Sequence, residues 1–378
     1  MNSFSPNPAD YQKQFHDKVN KIKQLLSPYY SNEIACFQSP QLNYRDRCEF
    51  KIWHQGDETH YAMFDREDNN KIHFIETFPI ASKAINELMP KLKAVLKTES
   101  ILRKKLFQIE FLSTRAGDML VTLIYHKALN EEWRQTIQHK CGNLGIKIVG
   151  RSKKQKLPLS DDTVRETFEV GDKIYHYKQQ EGNFSQPNSS VCKEMLNWAD
   201  SVLKIEFAQE KTSSDNKSNT RGDLLELYCG NGNFTLPLSQ HFDKVLATEI
   251  SKSLIKLALE NCAINDIDNI AFVKMSAEDI SQAIEGVREF RRLKDIDLEG
   301  YDFSTVFVDP PRAGLDDATC NMVKKFDNIL YISCNPETLL ENLHTLCKTH
   351  TIKHAAFFDQ FPYTHHMECG VYLSRHSN

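Results

Sequence analysis

LLELYCGNGNF, residues 224–234, is the stretch that decides the fold of this chain. It predicts a buried strand, a glycine turn and the start of a helix, and glycines let a backbone approach a ligand closely. A bare Gly-x-Gly is weak evidence for a nucleotide site. The third glycine of the dinucleotide fingerprint is missing, because Thr235 and its neighbours stand there. The stretch therefore indicates a ligand other than a pyrophosphate.

The region after this stretch alternates buried strands with segments that are compatible with helices. Such alternation is typical of a doubly wound, mostly parallel sheet, so we predict an α/β fold here. Two further apolar segments, 355–358 and 369–373, predict a closing hairpin. The predicted parallel strands are 224–228, 244–249, 270–275, 305–308 and 328–333.

The region before it has a different pattern. An amphipathic helix is predicted within residues 1–30, and a second helix over 81–97, kinked or broken at Pro90. Short strands separated by turns predict an α+β, antiparallel domain. We therefore place one domain over 1–180 and a second over 181–378, with a mobile surface loop at 208–223. The predicted antiparallel strands are 48–53, 107–112 and 119–125, and a further helix lies near 131–141.

Composition narrows the class of protein. The 40% hydrophobic and 26% charged residues, without a signal peptide or a membrane-length apolar run, predict a cytoplasmic protein with no membrane contact. The ten cysteines are scattered and form no Cys-x-x-Cys, which argues against a metal site and an iron–sulfur cluster. Residues 1–180 hold 28 Lys and Arg against 22 Asp and Glu, so that half suits a polyanionic partner.

Polar side chains stand where several predicted strands end. Glu249 ends the second strand, where an acidic residue commonly binds the ribose of an adenosine ligand. Asp309 precedes two prolines, which force the chain to stop and turn at the end of the fourth strand. Cys334 follows the fifth strand and precedes an N-cap, Asn335, and a first helical residue, Pro336. We expect the helix N-terminus to favour the thiolate of Cys334 and to lower its pKa.

Together, the segments 225–234, 309–312, 333–336 and 361–370 resemble the RNA uridine-5-methyltransferases, S-adenosylmethionine-dependent enzymes with a class I, Rossmann-like methyltransferase domain. The resemblance extends over nearly the whole chain. The ribosomal-RNA members usually carry cluster-binding cysteines, which this chain lacks, so the tRNA-modifying bacterial members are favoured. These methylate the uridine at position 54 of the T-loop. The resemblance implies the T-arm of tRNA, and tRNA-like RNA, as partners of a monomeric enzyme whose N-terminal domain recognises RNA.

The resemblance also assigns roles to individual residues. Carbon 5 of uracil is a weak nucleophile, and the family uses covalent catalysis, which splits one hard step into easier ones. Cys334 would add to carbon 6, and Glu368 would remove the carbon 5 proton after methyl transfer. Phe107 and His126 are candidates for stacking on loop bases, with Lys51 as a further RNA contact in place of the expected arginine. The implied S-adenosylmethionine-binding residues are Gln186, Tyr228, Asn233, Glu249 and Asp309.

Three other interpretations stay open on sequence alone. The Asp-Pro-Pro segment at 309–311 resembles the motif of amino-group methyltransferases, which need no thiol, although Arg312 replaces their aromatic residue. An RNA-folding factor with a vestigial cofactor site would keep RNA binding without needing Cys334. A nicotinamide-dependent oxidoreductase is disfavoured by the missing third glycine.

Overall fold

The structure is a computed structural model that describes residues 6–65, 71–213 and 222–376. Two compact units account for the chain. The first comprises 1–9, 40–167 and 178–189, and the second comprises 10–39, 168–177 and 190–378. A single division at residue 180 does not reproduce these units, because the N-terminal helix and the segment 168–177 pack within the second unit.

The secondary structure elements are numbered here in chain order. The helices are α1 (Tyr11–Leu26), α2 (Lys83–Thr98), α3 (Ser100–Arg103), α4 (Glu131–Cys141), α5 (Ser189–Ser213), α6 (Thr235–Leu238), α7 (Lys252–Ile264), α8 (Ala277–Ile284), α9 (Asp317–Val323) and α10 (Pro336–Leu346). The strands are β1 (Ala35–Phe37), β2 (Arg47–Gln55), β3 (Glu58–Phe64), β4 (Ile72–Ile75), β5 (Leu106–Ser113), β6 (Met119–Tyr125), β7 (Lys147–Ser152), β8 (Gln155–Pro158), β9 (Thr163–Val170), β10 (Lys173–Gln180), β11 (Asp223–Leu227), β12 (Val245–Glu249), β13 (Ile270–Lys274), β14 (Phe303–Val308), β15 (Asn328–Ser333), β16 (His350–Phe358) and β17 (Glu368–Arg375).

The second unit is built on a mixed sheet. Over the described residues its strand order is β1-β16-β17-β15-β14-β11-β12-β13. Strands β15, β14, β11, β12 and β13 run parallel, and β17 lies antiparallel between β15 and β16. The predicted α/β fold with a mostly parallel sheet and a closing hairpin is therefore confirmed. Strands β11 and β15 are buried on both faces, as parallel strands covered by helices must be.

The first unit contains a sheet with the order β4-β3-β2-β5-β6-β7-β8 in its described part. Its neighbours are antiparallel except β6 and β7, which are parallel and joined through α4. The predicted antiparallel α+β architecture is confirmed, with this one parallel pair as an addition. Alternation of buried and accessible residues along β2 leaves one face of that strand open to solvent.

Two local predictions differ in part from the structure. Of the kink or break predicted at Pro90, the break is ruled out, because α2 runs continuously from Lys83 to Thr98 with Pro90 inside it. A proline inside a helix costs about 3 kcal/mol, but buried apolar side chains such as Leu88 and Leu92 lie on both sides of it and hold the helix in place. The loop predicted over 208–223 is shorter, because α5 extends to Ser213 and β11 begins at Asp223. Its central part, 214–221, lies outside the described residues.

The described helices were also searched for membrane spans. Among them, none combines the length and the apolar character that crossing a membrane requires.

Candidate active site

The candidate site lies along one edge of the sheet in the second unit. Parallel strands end at the same edge of a sheet, and the antiparallel β17 begins there. The order β17-β15-β14-β11-β12 therefore places five of the predicted site residues side by side. In that order they are Glu368, Cys334, Asp309, Tyr228 and Glu249.

Cys334 lies between the end of β15 and the start of α10. As predicted, Asn335 is the N-cap, and its side-chain oxygen accepts a hydrogen bond from the Glu337 N–H at 3.2 Å. Pro336 is the first helical residue, where a missing N–H costs nothing. The Ser333 hydroxyl accepts a hydrogen bond from the Asn335 N–H at 3.1 Å. These contacts fix the backbone on both sides of the thiol, which is only partly accessible.

Glu368 is brought to Cys334 by the register of two antiparallel strands. Ser333 of β15 pairs with Cys369 of β17, so the next position along each strand sets Cys334 opposite Glu368. Residues at opposite positions are close enough for their side chains to interact. Glu368 is 2% exposed, so its carboxyl group is almost wholly removed from water.

The electrostatics at Cys334 contradict the predicted thiolate. Burial, and after it the nearby carboxyl groups of Glu368 and Asp309, raise the pKa of the Cys334 thiol to about 12 against the opposing effect of Arg312. Burial raises the pKa of Asp309 to about 7, and burial together with repulsion by Asp309 raises the pKa of Glu368 well above its ordinary value. The helix N-terminus is therefore outweighed by burial and by the acidic neighbours of the thiol.

The raised pKa leads to a first prediction. We expect iodoacetamide to alkylate Cys334 slowly at pH 7.5, and the rate to rise about tenfold per pH unit to at least pH 9, because only the thiolate reacts. The measurement is mass spectrometry of the peptide that contains Cys334. Cys347, whose pKa burial raises to about 11 at the other end of α10, is the internal comparison. A rate for Cys334 that levels off below pH 8 would restore the thiolate expected from the helix N-terminus alone.

The segment after β14 is tied to the helix that follows Cys334. The Arg312 carbonyl accepts hydrogen bonds from Asn335 Nδ2 at 3.0 Å and from the Thr338 hydroxyl at 3.3 Å. Because Pro310 and Pro311 cannot extend the strand, the chain turns here and Asp309 is held at the sheet edge. The Asp-Pro-Pro turn and the cysteine helix are thus one connected structure.

The glycine turn after β11 has the backbone of a ligand-binding loop. Tyr228, a non-glycine residue, has a φ of 62°, and such left-handed conformations concentrate at functional sites. Gly230 has a φ of 58°, and a Cβ added there would meet nothing within 4 Å. A Cβ on Gly232 would lie 2.6 Å from Leu236 Cδ1. Gly230 therefore leaves open space for a ligand, while at Gly232 the φ of 86° favours glycine.

Glu249 is held beside this turn. Its two carboxylate oxygens accept hydrogen bonds from the Gly230 N–H at 3.1 Å and from the Ser251 N–H at 2.8 Å. Each oxygen has a second lone pair, so the carboxylate can still accept hydroxyl donors. An acidic side chain beside an open glycine turn fits the cationic adenosine ligand that the resemblance implies. In the parts of the chain described, no group of three or more His, Cys, Asp or Glu side chains could hold a metal ion.

The two remaining predicted cofactor residues differ in their surroundings. The Asn233 side-chain Nδ2 lies 3.5 Å from Cys192 Sγ. The main-chain carbonyl of Asn233 accepts a hydrogen bond from the Tyr177 hydroxyl at 3.0 Å. These contacts anchor the end of the glycine turn in the second unit. Gln186 belongs to the first unit. There the adjacent Pro187 carbonyl accepts a hydrogen bond from the Asp46 N–H at 2.8 Å.

Sequence reasoning did not single out Glu226, in the middle of β11. It is 1% exposed, and its Oε2 atom has no hydrogen-bond partner. Burial raises its pKa to about 8, the Thr235 hydroxyl opposes that shift, and Asp309 adds to it. The sequence did contain a signal, because Glu226 is an acidic residue inside an otherwise apolar strand.

Glu226 gives a second prediction. The folded protein keeps a proton on this carboxyl group up to about pH 8, whereas the unfolded chain loses it near the ordinary value, so stability is lost as the pH rises. Between pH 5 and pH 8, the unfolding free energy should fall by about 3 kcal/mol more in the wild-type protein than in Glu226→Gln. Urea unfolding at both pH values measures this change. The exposed substitution Glu341→Gln is the control, and equal pH dependence in both variants would contradict the prediction.

The predicted RNA contacts form a cluster in the first unit. The Phe107 and His126 rings stack with centroids 4.3 Å apart, and Lys51 Nζ lies 4.2 Å from the Phe107 centroid. Phe107 is 36% exposed and sits at a bulge between β5 and β6, so it is not a core residue. Phe107 and His126 line a surface cavity of about 500 Å³, and Arg103 and Lys105 line it as well.

Known proteins resemble this chain over nearly its whole length. The family model described as tRNA (Uracil-5-)-methyltransferase matches residues 10–376. The tRNA/tmRNA (uracil-C(5))-methyltransferase of Saccharophagus degradans is 50% identical over 370 residues, covering 98% of each chain. Its Cellvibrio japonicus counterpart is 50% identical over 367 residues, covering 97% of this chain and 96% of that protein.

A solved structure supports the fold. It is the Pyrococcus abyssi tRNA (uracil-54, C5)-methyltransferase in complex with S-adenosyl-L-homocysteine. The match has a TM-score of 0.69 at 22% identity and covers 96% of this chain and 83% of the other. At that identity the likeness establishes a shared fold, which agrees with the mixed sheet of the second unit.

Proposed function

The chain belongs to the tRNA (uracil-5-)-methyltransferase family, and we propose that it methylates carbon 5 of uridine 54 in the T-loop of tRNA. S-adenosylmethionine-dependent methylation of uracil in tRNA follows from the family, and the position follows from the resemblance described above. Relatives are named for tmRNA as well, so the proposal extends to tRNA-like RNA. The enzyme would act in the cytoplasm as a monomer.

One observation carries the proposed mechanism. Cys334, Glu368 and Asp309 meet at the ends of three neighbouring strands and influence one another's ionisation. A thiol and a carboxyl group of raised pKa are the two groups that covalent methylation of a pyrimidine carbon requires. An amino-group methyltransferase needs no such thiol.

In the proposed reaction, the Cys334 thiol releases its proton to solvent and the sulfur bonds to carbon 6 of the uracil. Carbon 5 then gains electron density and accepts the methyl group, which S-adenosylmethionine supplies when bound. The Glu368 carboxylate takes the proton from carbon 5, the sulfur–carbon 6 bond breaks with its electron pair on sulfur, and the ring double bond returns. The released sulfur takes the proton from Glu368, which restores the resting thiol and the carboxylate.

The cofactor would be held by the glycine turn and its neighbours. Glu249 would accept hydroxyl groups, Gly230 leaves space for close approach, and the Asp309 carboxyl group, which influences Cys334, would lie towards the reacting end. Tyr228 and Asn233 complete the proposed set in the second unit, and Gln186 is proposed on the resemblance alone. A uridine inside a folded T-arm must be extruded before it can enter such a pocket.

The experiment that tests this function is intact mass spectrometry with a T-loop hairpin whose target base is 5-fluorouridine. Fluorine at carbon 5 cannot be removed as a proton, so the covalent adduct should be trapped when S-adenosylmethionine is present. The expected mass is protein plus RNA plus one methyl group, with the adduct mapped to Cys334. RNA binding without any adduct would eliminate the thiol mechanism and favour methylation of an amino group.

Phe107, His126 and Lys51 are the proposed RNA contacts, and they give a third prediction. Stacking of a base on an aromatic ring contributes about 1–3 kcal/mol. Phe107→Ala should therefore weaken binding and raise the Kd for a T-arm hairpin by roughly tenfold or more. Phe74→Ala is the matched control, because Phe74 is another exposed phenylalanine, 48% exposed, on the same sheet. Equal losses in fluorescence-anisotropy titrations of the two variants would contradict a specific role for Phe107.

A further inference from the structure

A buried polar cluster lies in the loop that precedes Glu368. This loop, residues 359–367, connects β16 to β17 and is named here the Glu368 loop. Asp359 is completely buried and accepts hydrogen bonds from Lys18 Nζ at 2.7 Å and from Gln14 Nε2 at 2.9 Å. Lys18 Nζ also donates to the Phe361 carbonyl at 2.8 Å. One lysine thus contacts two residues of the loop, through both side chain and backbone.

The donors come from the N-terminal helix α1. Tyr11, Gln14 and Lys18 are spaced by three and four residues, so they lie on one face of the helix. Gln14 Oε1 accepts a hydrogen bond from the Tyr363 N–H at 3.4 Å, and the Tyr11 and Tyr363 rings are 5.9 Å apart. Sequence analysis had recognised only the apolar part of this face and had grouped the helix with the RNA-recognition domain.

The Glu368 loop contains a conformation that needs such support. Tyr363 has a φ of 60°, which is unfavourable for a residue with a Cβ, and its buried hydroxyl has no hydrogen-bond partner. A strained, buried segment persists only when its surroundings hold it in place. The contacts from Gln14 and Lys18 supply that restraint.

The charge pair determines position more than it adds net stability. Burial lowers the pKa of Lys18, and the attraction of Asp359 opposes this shift. Taking both charges out of water offsets most of their attraction, so a buried pair is weak evidence for stability. The pair nevertheless penalises any loop conformation that separates the charges. An apolar contact, Phe15 with Phe357 at 5.7 Å between ring centroids, would hold the helix on β16 without specifying the loop.

We propose that Lys18, acting through Asp359, is a positioning residue that fixes the Glu368 loop and thereby aims the Glu368 carboxyl group at the reacting uracil. This inference rests on the proposed function of Glu368 as the base. It gives α1 a role in the reaction that acts only through the loop it holds. A misplacement of about 1 Å can cost a hundredfold in rate.

The test uses the full-length enzyme with the variants Lys18→Met, Asp359→Asn and the double variant, in which no charge remains unpaired. We expect kcat to fall about tenfold to a hundredfold in each, with the KM for the T-arm hairpin unchanged within about twofold. Because methyl transfer precedes proton removal, a methylated covalent enzyme–RNA complex should accumulate on denaturing gels, as it should in Glu368→Gln. Hydrogen exchange, read by mass spectrometry, should be faster in the peptide 359–367 than in the wild-type enzyme.

A matched control exists elsewhere in the same unit. Asp200 is 1% exposed and also accepts hydrogen bonds from a lysine and a glutamine, Lys204 Nζ and Gln240 Nε2, both at 3.0 Å. It lies on α5, away from the Glu368 loop in sequence. Asp200→Asn and Lys204→Met should lower thermal stability without trapping a covalent complex.

The outcomes separate the inference from the function on which it rests. The positioning role is wrong if two results are found together. The Lys18 and Asp359 variants would lose activity only in proportion to their unfolded fraction, and they would trap no covalent complex although Glu368→Gln traps one. If Glu368→Gln turns over normally, the proposed base is wrong, and the inference falls with it. Trapping in the folded double variant, with faster exchange in 359–367 and neither effect in Asp200→Asn, would establish the role.

Discussion

Replacing Cys334 by alanine is expected to lower kcat/KM for tRNA methylation about 10⁴-fold or more, because a covalent nucleophile has no substitute once its sulfur is gone. Without the bond to carbon 6, carbon 5 of uracil remains too weak a nucleophile. The alanine should fit without disturbing the fold, since Asn335 and Pro336 still begin α10. The measurement is transfer of a labelled methyl group to a T-arm hairpin, together with the Kd for that hairpin, which should change by less than about threefold.

Cys347→Ala is the matched control for this substitution. Cys347 is also partly accessible and caps the other end of the same helix. Its removal should leave kcat/KM within about twofold of the wild-type value. Full activity in Cys334→Ala would favour the amino-group methyltransferase interpretation. Loss of methylation with retained RNA-folding assistance would indicate that the enzyme and the folding factor are one protein.

The elements that sequence patterns predicted correctly are those determined by local rules. Strand β15 was predicted to the residue, because an apolar run ends just before the N-cap Asn335, and a helix predicted near 131–141 is α4, Glu131–Cys141. The placement of Cys334 between a strand and a helix followed from the same rules. Local signals were also sufficient to predict that Asp309 ends a strand, since two prolines stop it.

The features that were missed depend on partners far away in the chain. The pKa of Cys334 is determined by burial and by Glu368 and Asp309, which other strands deliver. The contact between Lys18 and Asp359 joins residues 341 positions apart, and nothing near either residue signals it. The helix-breaking role given to Pro90 failed for the same reason, because packing of α2 outweighs the local penalty.

Together, the corrected features change the expected state of the resting site. The sequence suggested a reactive thiolate at Cys334, but a thiolate beside ionised Glu368 and Asp309 would place adjacent negative charges in a buried pocket, where they would repel each other. Burial instead favours neutral Cys334, with raised pKa values for Glu368 and Asp309. A thiol that is neutral at rest reacts slowly with electrophiles near neutral pH, so slow alkylation in the absence of substrates does not contradict fast methylation in their presence.

Replacing Glu368 by glutamine should separate the two halves of the proposed reaction. Glutamine keeps the shape of the side chain but cannot take the carbon 5 proton, so kcat should fall about 10³-fold. Methyl transfer itself should survive, and a methylated covalent enzyme–RNA complex should persist on denaturing gels. Since Glu368 raises the pKa of Cys334, iodoacetamide should also alkylate Cys334 faster in this variant. Glu341→Gln on α10 is the control, and release of free methylated RNA at the wild-type rate by Glu368→Gln would assign the proton to another base.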